Sequence, residues 1–329
     1  MAAGTPGDDV RVSVLITSYD HEAFIGQAIE GVLEQRGVGP IELVVGDDCS
    51  SDGTRAVIEG YARRHPGRVV PFFPERNMGG GGKALYAELV RRSRGRFIAG
   101  MDGDDYWTSP DKLATQLDHL DRTPGCTMVF HNAVRRTDDG SVPDALYNPP
   151  DQARTIPYAD WFEQNPVASC TPVFRREVLD PLPPWYLELP WGDLPLYLLA
   201  AAEGEVHYLP DVMGVYRLHG GGMFSGLSAL RQETLDVEFF RGLSGVVPPQ
   251  HDRYRRRRLA VAEARLAHQL ALTGDHQAAA DHLAESFRTW PLDVPRLRPG
   301  RGELRRVALW LDLHTRSRGR WSRDGGAAR

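Results

Sequence analysis

Cysteine is scarce in this 329-residue chain: only Cys49, Cys126 and Cys170 occur. They are far apart and odd in number. They therefore make neither a disulfide framework nor a zinc knuckle, and they suit a reducing compartment. No apolar run reaches the roughly 18 residues that a membrane-spanning helix needs. The first nine residues lack a basic segment followed by an apolar one, which argues against a secretory signal and makes the cytoplasm the expected location. A single helix-turn-helix near the C-terminus has no second copy, so a repeat array is excluded. A glycine fingerprint for a dinucleotide is missing too. The first strong strand, residues 10–18, runs straight into Tyr19-Asp-His with no G-x-G-x-x-G. That counts against a dinucleotide-dependent oxidoreductase. A nucleotidyltransferase would need a glycine-rich basic loop at the same place.

Charge is unevenly spread. From His251 onward there are 17 Arg and 9 Asp plus Glu, so the tail carries +8 and the first 250 residues −13. An acidic front can still hold a nucleotide if a metal carries the phosphate contacts. The basic run Arg253–Arg258 reads as a solvated helix face; an anionic acceptor, a membrane surface and a nucleic acid are its alternatives. Peripheral membrane contact is expected from these helices at most, and no nucleic-acid partner.

With 41% hydrophobic residues the chain can bury a proper core. Residues 10–18 and Ile41–Val45 are rich in β-branched residues and read as strands, as do Val69–Phe73 and Gly95–Gly100. Helical spacing covers Asp20–Gln35, Thr54–Arg64 and Ala84–Ser93 between them. This alternation implies a mostly parallel sheet covered on both faces by helices. A helix over Pro110–Arg122 and strands over Thr127–Val134 and Val206–Val215 follow. The segments Pro172–Leu179 and Leu189–Glu203 flank a proline-rich turn. After Ser225 the chain turns helical and arginine-rich, with Leu259–Leu272 and His276–Thr289 as a hairpin. Residues 1–9 and 316–329 are expected to be disordered. A catalytic domain over 10–226 divides near 107 into a nucleotide half and an acceptor half, and a helical region spans 227–315.

The richest chemistry lies in Met101-Asp-Gly-Asp-Asp-Tyr-Trp107. It follows a buried strand, where open α/β sheets bind ligands. Asp102 and Asp104 project together from an extended chain, and Gly103 relaxes the backbone between them. Like charges so close call for a compensating cation, and a hard divalent ion shared with substrate phosphates supplies one. The plain alternative is an acidic turn. Four glycines at Gly79–Gly82 lead into a helix start that suits an anion, with Lys83 able to reach a phosphate. Asp193 opens an apolar helix after Trp191-Gly, which also makes it a candidate cap. His219 precedes three glycines.

Four segments then line up: Thr17-Ser-Tyr-Asp20, Asp47-Asp-Cys-Ser-Ser-Asp-Gly-Thr54, Asp102-Gly-Asp-Asp-Tyr-Trp107 and Trp191-Gly-Asp193. Their order and spacing over residues 10–225 resemble the family-2 glycosyltransferases, of bacterial inverting type, with the GT-A fold. The resemblance implies a Rossmann-like α/β domain with a C-terminal helical extension. It implies a sugar donor linked to a nucleotide diphosphate, UDP or dTDP, and a glycan or small-molecule acceptor. Thr17, Tyr19, Asp47 and Asp48 would hold base and ribose. Asp102, Gly103, Lys83 and Arg217 would face the diphosphate, and Asp104 with His219 would hold Mn2+ or Mg2+, with Asp105 an alternative ligand. Asp193 would be the base. The family usually has Glu-Asp where this chain has Gly192-Asp193, so Glu188 stands as its substitute. His131-Asn132 would face the acceptor, and residues 217–226, with Met223 and Phe224 over the sugar, would form a lid. A binding protein with a relic donor fold is the rival reading.

Overall fold

The computed structural model describes residues 10–220 and 227–291. The expected disordered ends, and lid residues 221–226 with Met223 and Phe224, lie outside the described residues. The chain divides into two compact units, Met1–Gly222 and Met223–Arg329.

In the first unit the elements run β1 (Val12–Ser18), α1 (Ile25–Leu33), β2 (Ile41–Asp47), α2 (Thr54–Arg64), β3 (Val69–Phe72), α3 (Lys83–Arg92) and β4 (Phe97–Asp102). Next come β5 (Tyr106–Trp107), α4 (Lys112–Arg122), β6 (Cys126–Thr137), β7 (Ala145–Leu146), β8 (Val173–Arg175), α5 (Arg176–Leu179), α6 (Asp193–Glu203) and β9 (Glu205–Leu218). They build one sheet in the order β3-β2-β1-β4-β8-β6-β9-β5, with β7 on β6. The half from β3 to β4 is parallel. Short β8 then pairs antiparallel with both β4 and β6, and β5 antiparallel with β9. The sheet is thus mixed α/β, as a mostly parallel reading allows.

Both faces are covered. Val12, Val14 and Ile16 point into the main core with Leu43, Val45, Phe97 and Ala99, while Leu15 is fully buried on the other side. The stripe Ile25, Ala28, Ile29 and Val32 of α1 and the stripe Leu113, Leu117 and Leu120 of α4 cover that core. Each such side chain contributes about 1.5–3 kcal/mol by leaving water. The first helix starts five residues later than its hydrophobic spacing predicts, because Asp20 turns the chain with a φ of +53°.

The second unit contains α7 (Ala229–Gly242), α8 (Asp252–Leu272) and α9 (His276–Thr289), with α8 packed on both others. The predicted hairpin is present, but its first helix begins seven residues earlier, at Asp252. The basic run is not simply a solvated face. Arg255 is buried, donating to Asp252 and to Phe240 O at 3.0 Å, while Arg256 donates to Thr289 O and Arg258 to Asp236. No helix among the described residues is long and apolar enough to cross a membrane.

Candidate active site

Parallel pairing brings three strand ends to one edge of the sheet. Thr17 is in register with Asp102, and Ser18 with Asp47. The Thr17 hydroxyl donates to Asp102 Oδ1 at 2.9 Å, and Gly103 N donates to Thr17 O at 2.8 Å. A β-carbon at Gly103 would lie 2.9 Å from Ile25 Cδ1 and 3.0 Å from His21 Nδ1. Only glycine lets the acidic loop pack this closely on the first helix.

Carboxylate oxygens of Asp102, Asp104 and Asp105 lie within 4.8 Å of one another. Asp105 is buried; it accepts from Arg217 N at 2.8 Å and from Ser169 Oγ at 3.3 Å. Burial, reinforced by the charges of Asp104 and Asp102, pushes its carboxyl well above the usual range. Asp102 is raised as well, by burial and then by Asp104. His219 Nε2 meets Asp104 Oδ2 at 2.9 Å, with His21 Nε2 3.9 Å from the same oxygen. Hard oxygen donors that still raise one another's pKa despite these partners fit a divalent cation such as Mg2+ or Mn2+.

The first two loops are stitched together beside this cluster. Asp20 accepts from Ser51 N at 2.7 Å, Glu22 from Gly53 N at 2.9 Å, and Thr54 Oγ1 from His21 N at 2.8 Å. Asp20 and Cys49 both sit at positive φ, +53° and +64°, an arrangement that costs each residue about 1–3 kcal/mol. Such strain concentrates at ligand clamps. Asp47 is buried, bonded by Ser18, Ser50 N and Ser50 Oγ, so it supports the loop. Asp48 Oδ1 accepts from Met78 N at 2.7 Å, which joins the loop to the glycine segment. Tyr19 stands half exposed at the same rim.

A fourth carboxylate approaches from α6. Asp193 is the first residue of that helix, following Gly192 as the cap. Its Oδ1 accepts from Leu194 N at 2.7 Å and its Oδ2 from Asn165 Nδ2 at 3.0 Å. Burial nevertheless raises it above the ordinary aspartate value. Burial also lifts the phenols of Tyr147, Tyr186 and Tyr197, and charge from Asp193 together with Asp102 or Asp105 adds to each. The charges of Asp193 and of the acidic cluster thus act on the same three tyrosines.

The family model for glycosyl transferase family 2 matches residues 13–182, more than half of the chain. The chain belongs to glycosyl transferase family 2. An uncharacterized protein of Mycobacterium tuberculosis is 32% identical over 217 residues, covering 65% of this chain and 60% of that one. The match thus spans about three fifths of the length of that relative. Among solved structures, Staphylococcus aureus TarS 1–349 in complex with UDP-GlcNAc aligns over 94% of this chain and 92% of that chain, with a TM-score of 0.66 and 17% identity. The mannosyltransferase PcManGT from Pyrobaculum calidifontis, in complex with GDP-Man and Mn2+, aligns over 94% and 89%, with a TM-score of 0.54 and 20% identity. At these identities the two structures establish a shared GT-A fold.

Within this family-2 domain, two basic residues expected on the diphosphate are turned inward. Lys83 is buried and donates to the carbonyls of Leu189 and Leu187, and burial pulls its pKa down. It ties the start of α3 to the segment before Asp193. Arg217 lies between the rings of Phe24 and Tyr106. Its guanidinium donates to Asp104 O at 2.7 Å, to Gln27 Oε1 at 2.8 Å and to Asp138, so it braces the acidic loop rather than facing a ligand. His131 and Asn132 do not face an acceptor either. Both are buried at a bulge between β6 and β9, where His131 Nδ1 meets Asn132 O at 2.7 Å and Asn132 holds Asn148. Burial and the nearby Lys112 charge pull His131 down to about 3. Glu188 is exposed, whereas Asp193 is the carboxylate among the tyrosines.

His21, Ser169, Asn165 and the three tyrosines were not legible in the sequence as site residues. Only His21 carried a local signal, its place directly after the first strand. A cleft of about 450 Å³ lies beside His219, bordered by Thr137, Asp138, Asp139 and Ser141.

The missing glutamate before Asp193 has a steric reason. A β-carbon at Gly192 would lie 2.8 Å from Lys83 Cγ. Gly192→Ala is therefore expected to destabilise the protein by about 1–3 kcal/mol, the usual cost of overpacking. Lys83→Ala should absorb that cost in a double-mutant cycle followed by denaturant unfolding. Equal losses with and without Lys83 would show that the contact is not what requires glycine.

Proposed function

We propose that this chain is a metal-dependent inverting glycosyltransferase, moving a sugar from a nucleotide diphosphate donor to an acceptor hydroxyl. The observation that carries the reading is the presence of two separate carboxylate systems in the family-2 domain. Asp102, Asp104 and Asp105 form a hard, mutually repelling cluster. Asp193 is held apart from them with its pKa raised by burial. A relative-fold structure holding GDP-Man with Mn2+ and another holding UDP-GlcNAc support the donor class.

Thr17 and Asp47 hold the rim of the nucleotide site, Tyr19 covers the base, and Asp48 accepts the imide N–H of uracil or thymine, which favours UDP- or dTDP-linked donors. Asp104, with Asp102, Asp105 and His219, would hold a divalent ion, which would supply charge stabilisation for the leaving diphosphate. Gly103 lets Asp102 and Asp104 reach the same side. Asp193 takes the proton of the acceptor hydroxyl as the anomeric carbon gains oxocarbenium character. Single displacement with inversion needs no covalent nucleophile. The product belongs to a surface glycan or a secondary metabolite. Calorimetry with UDP, dTDP and GDP, with and without Mn2+, paired with mass spectrometry of candidate donors, tests this. Metal-dependent binding with neither transfer nor donor hydrolysis would leave a binding protein.

The raised Asp193 also fixes a pH dependence. A base works only when deprotonated, so activity is lost as pH falls through its pKa. The acidic limb of kcat/KM is expected above the ordinary aspartate value of 3.8. A limb at the ordinary value, or none, would remove Asp193 as the base.

A further inference from the structure

A second group of metal-type side chains sits at the opposite end of the sheet. His119 is in the last turn of α4, Cys126 opens β6, and His207 is the third residue of β9. Parallel pairing sets Cys126 against Glu205 and Val129 against His207. Ten residues of β9 separate His207 from Arg217 at the acidic loop, about 30 Å of strand. This group is therefore not an extension of the candidate active site.

Atoms of all three side chains, one from each, lie within 4.8 Å of one another. His119 Nε2 and His207 Nδ1 are 2.9 Å apart. The other nitrogen of His207, Nε2, contacts Glu205 Oε2 at 3.0 Å. A carboxylate only accepts, so His207 carries its proton on Nε2 and turns the lone pair of Nδ1 toward His119 and Cys126. A carboxylate fixing the far nitrogen of a histidine is the arrangement that orients imidazole for a metal. Two imidazoles and a thiolate are a borderline-soft donor set.

We propose that His119 Nε2, His207 Nδ1 and Cys126 Sγ bind a zinc ion, with Glu205 orienting His207 and water completing the tetrahedron. Two nitrogens on a tetrahedral zinc lie about 3.3 Å apart, so the histidine pair opens by a few tenths of an ångström. His119 and His207 are both partly exposed, which gives the ion a way in, whereas Cys126 is fully buried. The Cys126 S–H donates to Met128 O at 3.1 Å, so the thiol carries its proton without an ion. Without an ion His119 Nε2–H donates to His207 Nδ1; binding moves that proton to Nδ1 of His119 and transfers the Cys126 proton to solvent as the zinc–sulfur bond forms, one proton released per ion. The ion cross-links α4 to the starts of β6 and β9. The proposal does not depend on the transferase reading.

Cobalt(II) titration of the full chain tests it. The expected result is one sulfur-bound ion per chain, read from a sulfur-to-cobalt charge-transfer band that is displaced by zinc but not by excess Mg2+. The band should vanish in Cys126→Ser. Zinc affinity should fall more than tenfold in His119→Ala, and about 10–100-fold in Glu205→Gln, whose exposed position leaves the fold intact. Zinc at a hundredfold its Kd should raise Tm by about 5–10 °C. Cobalt bound without the sulfur band would place the ion on the acidic cluster, and an affinity unchanged in both His119→Ala and Glu205→Gln would remove the histidines as ligands; either result overturns the site.

Discussion

Asp193→Asn is expected to lower kcat by about 10²–10⁴-fold while leaving donor affinity in place. The side chain keeps its shape, and Leu194 N still finds an oxygen to bond. What goes is the basic lone pair. The amide must also meet Asn165 Nδ2, which now donates to the carboxylate at 3.0 Å and cannot flip freely, because Asn165 Oδ1 is held by Val167 N at 3.1 Å. One hydrogen bond is thus lost, worth about 1 kcal/mol, too little to unfold the domain. Donor and metal meet the three carboxylates of the other loop, so a titration with nucleotide and Mn2+ should match the parent. The kinetic signature is a fall in kcat with an unchanged donor Kd. Turnover within tenfold of the parent would assign the proton to another group.

The sequence already carried much of this arrangement, and the reason is local. Runs such as Val12–Ser18 and Phe97–Asp102 declare a strand through their own composition, and polar residues that follow must lie at its end. Thr17, Asp47 and Asp102 were therefore placeable, since parallel pairing aligns strand ends. Strand direction in the second half was not. Three residues, Val173–Arg175, run antiparallel between β4 and β6, and no local period encodes which neighbours they choose. Side-chain direction was equally hidden. Lys83 follows four glycines in sequence and looks free to reach a phosphate, yet it turns inward to the carbonyls of Leu187 and Leu189 through the space that Gly192 leaves. Arg217 is captured by Phe24, Gln27 and Asp138, partners up to 193 residues away along the chain. The group His119, Cys126 and His207 has no motif spacing at all, because β6 and β9 bring it together only after folding.

Asp104→Ala is expected to remove the metal-dependent part of donor binding altogether. Asp104 is the hub of the acidic loop. It contacts His219 and, through its charge, raises both Asp102 and Asp105 after burial has done so. Without it, two carboxylates remain, one buried against Arg217 N and the other bonded to Thr17. Neither is placed to replace it as the ligand on the open side. Nucleotide affinity measured with Mn2+ should drop by at least tenfold, about 1.4 kcal/mol, to the value the parent shows in EDTA. In EDTA the two proteins should bind alike. Stability should move the other way. Deleting one of three crowded like charges relieves repulsion, so the metal-free Tm should not fall, while the rise in Tm on adding Mn2+ and UDP together should disappear. The opposite pattern, a lower metal-free Tm with Mn2+-dependent binding intact, would make Asp104 a structural residue and move the metal to Asp102 and Asp105.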